Sequence, residues 1–329
     1  MKEILKHLFD YKSFSREEAY QILTNIATGK YDTHQIAAFM TAYGMRSIRV
    51  EELGGFRDAM YDLCLKIDFN GYDLIDMCGT GGDGKNTFNI STLSSFVVAG
   101  AGYKVAKHGN VGVSSGCGSS NVMEYLGYNF TNNKDRLLRQ LDEANICFLH
   151  APLFHPAMKT VAPIRRALGV KTFFNMLGPL TNPANPKFQS VGVFSLELAR
   201  LYAYLYQTTN KQYSIIHALD GYDEISLTGD FKVINNQGEN YFSVEELGFQ
   251  ACQAEEISGG DTVEQAAKIF QQIIQGKGTS TQNDVVLTNA AFAIKTFHPE
   301  KSFADCYYEA EESLLGLKAY SSLKKITQK

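Results

Sequence analysis

One stretch limits what this chain can fold into more than any other: Asp76-Met77-Cys78-Gly79-Thr80-Gly81-Gly82-Asp83-Gly84-Lys85-Asn86-Thr87-Phe88-Asn89-Ile90-Ser91-Thr92. Residues 72–75 before it read as a short buried strand. Residues 93–101 after it are apolar and small and read as a buried helix. Glycine lets backbone N–H groups turn toward an anion without Cβ obstruction. A helix starting near 89–91 aims its positive dipole end at the same place. The pattern matches neither GxGxxG nor GxxxxGK[ST], so neither a dinucleotide fold nor a P-loop NTPase follows from it.

Around this loop the chain has two textures. Residues 1–66 contain no proline and read as helices. Ile4, Leu5, Leu8 and Phe9 recur at helical spacing. Ser15 with Glu18 fits a capping box, and Gly29 is a stop signal. Asp32 with Gln35 repeats the start signal. A fourth helix is expected over 50–65, where Gly54 and Gly55 point to a close helix crossing, within the chain or across a dimer. From about residue 70, short apolar strands (72–77, 103–106, 146–149, 189–194, 213–219, 232–235) alternate with helices. This predicts a mostly parallel sheet with crossover helices. Residues 155–185 interrupt the alternation with helical pattern and are expected to pack with the N-terminal helices. Helices near 261–275, 283–297 and 301–317 precede an expected polar tail. The reading is α/β: a small all-helical N-terminal domain over 1–68, plus a larger α/β domain over 69–154 and 186–329 with a mostly parallel central sheet.

Composition enters where it excludes. A net charge of −4 leaves no basic footprint for general nucleic-acid binding. Six cysteines are scattered without CxxC spacing, which argues for reduced thiols in the cytoplasm. Residues 1–6 carry an acidic group and lack a long apolar run, so no signal peptide is expected, and no apolar window is long enough for a membrane span.

Three further groups carry chemistry. The run from Lys107 to Ser120 follows the strand ending at Ala106 and again offers glycines, hydroxyls and a cation. It reads as a second phosphate loop or as a polar turn. Asp220-Gly221-Tyr222-Asp223-Glu224-Ile225-Ser226 follows the strand 213–219; adjacent carboxylates there suit a hard divalent cation or an ordinary acidic turn. His155 and Arg165 lie ten residues apart, nearly three helical turns, so they are expected on one face. Arg165 suits bidentate binding of a carboxylate, or a salt bridge. His108 and His155 fit acid–base or structural roles, and no general base is assigned.

The runs GTGGD, NIST, KHGN, HPAM, FNMLGPLTNP and GYDEIS, in this order, make the chain closely resemble the anthranilate phosphoribosyltransferases of tryptophan biosynthesis. The resemblance covers nearly the whole chain. It implies transfer of a phosphoribosyl group from phosphoribosyl pyrophosphate to anthranilate, a cytoplasmic homodimer joined through the helical domains, and magnesium, two ions per subunit. Carried over by motif, phosphoribosyl pyrophosphate would meet Gly79, Gly82, Asp83, Thr87, Asn89, Ile90, Ser91 and Thr92. It would also meet Lys107, His108, Gly109, Asn110, Val111, Gly112, Val113, Ser114, Ser115 and Ser119. Anthranilate would meet Gly79, Asn110, His155, Arg165 and Gly178, and the metal Ser91, Asp223 and Glu224. The chain departs from the family pattern at Gly116, where a lysine is usual, and at Cys117, Asn121, His150 and Tyr222. A pyrimidine-nucleoside phosphorylase shares the architecture but suits the acidic pair and the GPLTNP run less well. A nucleic-acid-binding relative without enzymatic activity would want basic patches.

Overall fold

A computed structural model describes residues 1–69, 71–110 and 118–328. The chain runs through α1 (Lys2–Phe9), α2 (Arg16–Ala27), α3 (Thr33–Gly44), α4 (Val50–Asp62), β1 (Leu74–Gly79), α5 (Ile90–Gly100), β2 (Lys104–Gly109), α6 (Ser119–Tyr125), α7 (Lys134–Ala144) and β3 (Ile146–His150). It continues through α8 (Ala151–Phe154), α9 (Met158–Leu168), β4 (Phe188–Gly192), α10 (Leu196–Gln207), β5 (Gln212–Ala218), β6 (Phe231–Asn235) and β7 (Gly238–Phe242). Helices α11 (Val263–Ile274), α12 (Ser280–Phe297), α13 (Phe303–Leu315) and α14 (Lys318–Thr327) complete it. Two compact units result: Met1–Ile67 with Ala151–Asn185, and Asp68–His150 with the chain from Pro186 onward.

The first unit is helical. Helix α2 opens on the expected capping box: Ser15 Oγ accepts the Glu18 N–H at 3.2 Å, and Glu18 accepts the Ser15 N–H at 2.8 Å. Helix α3 starts at the expected N-cap, Asp32, whose side chain accepts the N–H of His34 at 2.8 Å in place of a reciprocal bond with Gln35. A Cβ at Gly55 would lie 2.2 Å from the Arg16 carbonyl and 2.8 Å from Ala19 Cβ, so α2 and α4 cross backbone to backbone within the chain. Phe39, Tyr43, Phe56 and Phe173 close the core; the last two stack at 4.6 Å.

The second unit is built on a sheet of order β3-β2-β1-β4-β5-β6-β7 among the described residues. The first five strands in that order are parallel and the last two antiparallel, which gives the mostly parallel sheet that the alternation predicts. Winding reverses between β1 and β4, so right-handed crossovers put α5 and α7 on one face and α10 on the other. Helix α5 is buried through Ile90, Leu93, Phe96, Val97 and Val98. Fully burying each large apolar side chain contributes roughly 1.5–3 kcal/mol. Ser94 Oγ donates to the Val286 carbonyl of α12 at 3.0 Å, and Ser313 Oγ of α13 donates to the Val97 carbonyl at 2.6 Å. The expected polar tail is instead helix α14, whose Ala319, Leu323 and Ile326 are buried. Gly100 makes room for it, since a Cβ there would lie 2.5 Å from Ala319 N.

Candidate active site

The carboxyl ends of β1 and β4 flank the point where the winding reverses, the usual ligand position in an open parallel sheet. There Gly79 pairs with Gly192. Both must be glycine because Asp223 is pressed against them. A Cβ at Gly79 would lie 2.2 Å from Asp223 Oδ2, and one at Gly192 would lie 1.4 Å from the Asp223 carbonyl oxygen. The loop after β1 then turns through Gly81 and Gly82, whose φ values of 65° and 78° favour glycine.

The two acidic side chains tie that loop and its helix together. Asp223 Oδ2 accepts the Gly81 N–H at 2.7 Å, and Glu224 Oε1 accepts the Ser91 N–H at 3.0 Å in the first turn of α5. Asn289 of α12 holds the acidic segment from behind, accepting the Ile225 N–H at 3.1 Å and donating to the Ile225 carbonyl at 2.8 Å. Burial, then the Glu224 and Asp83 charges, push the Asp223 carboxyl well above its usual range. Burial likewise pushes Glu224 up to about 7, against the pull of Lys107 and Ser91. Two such oxygen donors beside a serine fit a hard divalent cation, and Gly79, Ser91, Asp223 and Glu224 line one small cavity. Among the described residues no group of three or more His, Cys, Asp or Glu side chains could hold a metal, so the pair is not a closed protein cage.

The sequence-derived candidates among the described residues each have a definite place. Ile90 and Thr92 are fully buried; the Ile90 N–H donates to the Phe88 carbonyl at 2.7 Å, and the Ser91 N–H donates to Glu224. Asn89 is the N-cap residue without a side-chain cap bond, Thr87 bridges to Ser258, and Asp83 accepts the Lys85 N–H at 3.0 Å. The Lys107 ammonium points into the sheet, where it donates to the Met77 carbonyl and, at 3.2 Å, to Ser91 Oγ. His108 is buried and donates its N–H to Asp76 Oδ1 at 3.0 Å. Gly109 pairs with His150 at the end of β3. The second loop is pinched at its neck, where the Asn110 carbonyl accepts both the Ser120 N–H and the Ser119 hydroxyl at 3.4 Å. Val111, Gly112, Val113, Ser114, Ser115, Gly116 and Cys117 lie outside the described residues.

Three of the departures from the family pattern, Asn121, His150 and Tyr222, find local uses. Asn121 Oδ1 accepts the Gly118 N–H at 3.1 Å at the start of α6. His150 stacks on Phe130 at 4.5 Å and bonds Ser120 Oγ through Nδ1 at 3.0 Å. Tyr222 is buried with the Lys85 ammonium 4.5 Å from its ring centroid.

In the helical unit, His155 and Arg165 do not share a helix. Helix α8 ends at Phe154 and α9 begins at Met158, so His155 lies in the break between them. His155 is buried. Arg165 donates to Asn175 Oδ1 at 3.3 Å and lies 5.6 Å from the Phe174 ring centroid. Burial lowers its pKa. Gly178 opens a 3₁₀ turn, Gly178–Leu180, with open space where its side chain would be. Sequence reasoning missed Gly192, Asn289 and Asp76. Only Gly192 left a local signal, a glycine inside an apolar strand.

Comparison with known proteins agrees with this geometry. A model described as "Glycosyl transferase family, a/b domain" matches residues 71–320, and one described as "Glycosyl transferase family, helical bundle domain" matches residues 2–64. The chain is 58% identical to an anthranilate phosphoribosyltransferase of Christiangramia forsetii over 329 residues, 99% of this chain and 98% of that one. It is 55% identical to its counterpart in Cytophaga hutchinsonii, over 99% of each. Among solved structures, the anthranilate phosphoribosyltransferase of Thermus thermophilus superposes with a TM-score of 0.91 at 32% identity over 98% of each chain. The Saccharomyces cerevisiae enzyme in complex with PRPP and Mg does so with a TM-score of 0.90 at 25% identity, over 98% of this chain and 95% of that one.

Proposed function

From the premise that this chain belongs to the anthranilate phosphoribosyltransferase family, we propose the following reaction. The enzyme transfers the 5-phosphoribosyl group of phosphoribosyl pyrophosphate to the amine of anthranilate. It releases pyrophosphate and N-(5-phosphoribosyl)anthranilate, in the second step of tryptophan biosynthesis from chorismate. The observation that carries this reading is the Asp223–Glu224 pair, bonded at once to the glycine loop and to the first turn of α5. That arrangement suits a phosphorylated ligand held together with a divalent cation.

Gly79, Gly82, Asp83, Thr87 and the turn from Asn89 to Thr92 hold the pyrophosphate and ribose. The second loop, Lys107 to Ser115 with Ser119, completes the grip. Asp223, Glu224 and Ser91 would hold magnesium, two ions per subunit. When bound, magnesium neutralises charge on the leaving pyrophosphate. As the bond to the ribose carbon lengthens, that carbon gains oxocarbenium character, and the first loop would stabilise the oxygens that gain charge. The anthranilate amine is neutral at pH 7 and attacks without prior deprotonation, so no side chain serves as a strong base. Arg165 binds the anthranilate carboxylate, with Asn110, His155, Gly178 and Gly79 around the ring. Positioning the two substrates in line supplies much of the acceleration. The enzyme works in the cytoplasm as a homodimer joined through the helical unit, where Phe9, Tyr11 and Met45 are exposed at 64%, 87% and 84%. Among the described residues no helix is long and apolar enough to cross a membrane.

The test is product analysis. Anthranilate with phosphoribosyl pyrophosphate and magnesium yields phosphoribosylanthranilate and pyrophosphate in equal amounts. Phosphorolysis of thymidine or uridine without that reaction would identify a nucleoside phosphorylase instead.

A further inference from the structure

Among the described residues, strands β1 and β2 lie side by side in register at Leu74↔Lys104 and Ile75↔Val105. On their outer sides both keep longer ladders, β1 through Gly79↔Gly192 and β2 through Gly109↔His150. Past Ile75, side chains also bond main-chain groups across the two strands. Asp76 Oδ1 accepts the His108 N–H at 3.0 Å, and the Lys107 ammonium donates to the Met77 carbonyl. The same ammonium reaches Ser91 Oγ at 3.2 Å. Asp76 is 0% exposed and Lys107 2%. Charges so deep in a fold need partners. Burial pulls the Lys107 pKa down, while Cys78, Asp76, Glu224 and Asp223 pull it back up, so one ammonium faces three carboxylates.

We propose that Asp76 and Lys107 form a buried cross-brace with two effects. It holds β1 and β2 apart where the two loops leave the sheet. It also places a positive charge beneath Ser91, Asp223 and Glu224 that sets how strongly they attract a divalent cation. The second effect rests on the metal reading above, and the first does not. Both residues are positioning residues. Lys107 serves its loop through the main chain, with its ammonium turned into the sheet.

The charge effect is read by Mn²⁺ binding in the presence of pyrophosphate, followed by electron paramagnetic resonance of the free ion. Lys107→Met removes a cation and tightens Mn²⁺ about threefold or more, and Asp76→Asn weakens it by a similar factor. The double variant, neutral as a pair, returns to within about twofold of the parent. The brace is read without metal, by hydrogen exchange at the His108 amide. Asp76→Ala speeds that exchange about tenfold or more, whereas Asp76→Asn, which keeps an acceptor oxygen, leaves it within about threefold. Weaker Mn²⁺ binding in Lys107→Met, or unchanged exchange in Asp76→Ala, overturns the proposal. If Lys107→Met does not fold, the sign of the Asp76→Asn shift decides the charge effect. If Asp223→Asn with Glu224→Gln binds Mn²⁺ as the parent does, the metal reading falls, and His108 exchange still judges the brace.

Discussion

Glu52 and the Asp223–Glu224 pair are carboxylates drawn out of water, and their surroundings treat them oppositely. Glu52, in the helical unit, is 0% exposed. It accepts the N–H of Phe14 at 3.1 Å and of Arg49 at 3.0 Å, the Tyr43 hydroxyl at 2.8 Å, and a guanidinium bond from Arg46. Its charge is matched, and it fastens the start of α2, the end of α3 and the start of α4 around one point. Asp223 and Glu224 stand beside each other in sequence, where Asp223 accepts the Gly81 N–H and Glu224 accepts the Ser91 N–H. Burial pushes both toward the protonated state, with the Glu224 and Asp83 charges adding at Asp223 and the Asp83 charge adding at Glu224. A buried acid met by donors on every side stabilises a fold. A buried acidic pair short of positive charge is costly until a cation arrives, which is how a functional site differs from a structural one.

The largest expected effect comes from neutralising the costly pair. Asp223→Asn with Glu224→Gln lowers turnover in magnesium by ~10²–10³-fold, the loss typical when a charge-stabilising group is removed. Metal-free melting should stay level or rise, because the repulsion is gone. A marked fall in melting temperature would move this pair into the same class as Glu52. Glu52→Ala should do the reverse, lowering stability in urea by about 3 kcal/mol through the stranded Arg46 and Tyr43 groups. The Michaelis constants of the remaining folded enzyme should be unchanged, and a shift in either constant contradicts a purely structural Glu52.

Arg165 extends the contrast to cations. Arg46 has Glu52 and the Tyr43 ring at 4.4 Å, whereas among the described residues Arg165 has Asn175 and no ion pair, and burial lowers its pKa. Arg165→Ala should raise the KM for anthranilate about tenfold or more, the cost of one charged hydrogen-bond pair. A rise confined to the KM for phosphoribosyl pyrophosphate would show that the orientation is reversed.

The smallest effect is in pH. The folded-state pKa of Glu224 is pushed up to about 7, above its unfolded value near ~4.3. Between those values the folded chain holds more protons than the unfolded one, so this group makes stability fall as pH rises. Without metal, the parent should therefore lose melting temperature relative to the Asp223→Asn, Glu224→Gln variant from about pH 5 to about pH 8, by ~2–4 °C per kcal/mol of linkage. A gap that does not change with pH would mean that the pair is not held above the usual carboxylate range.

Much of this was legible in the sequence because the signals were local. The Ser15–Glu18 box sets the start of α2, and Gly55 marks the α2–α4 crossing. The glycine run ending in Asn89-Ile90 shows where β1 hands over to α5. What stayed hidden depends on distant partners. Strand β7 is an exposed edge with no apolar alternation, and only β6 beside it makes it a strand. Helix α14 reads as a polar tail until its few apolar residues meet α5. Asn289 looks like any polar residue in a buried helix until Ile225 is placed against it. The expected helix linking His155 to Arg165 failed because spacing alone does not reveal a break such as the one between Phe154 and Met158.

The central claim is that the acidic pair beside the first glycine loop serves magnesium-dependent phosphoribosyl transfer to anthranilate. The most direct measurement is the loss of anthranilate fluorescence on adding phosphoribosyl pyrophosphate. With magnesium the parent enzyme should consume the fluorescence steadily, EDTA should stop it, and the Asp223→Asn, Glu224→Gln variant should be almost silent. No loss of fluorescence under any condition, or equal rates with and without EDTA, would contradict the account.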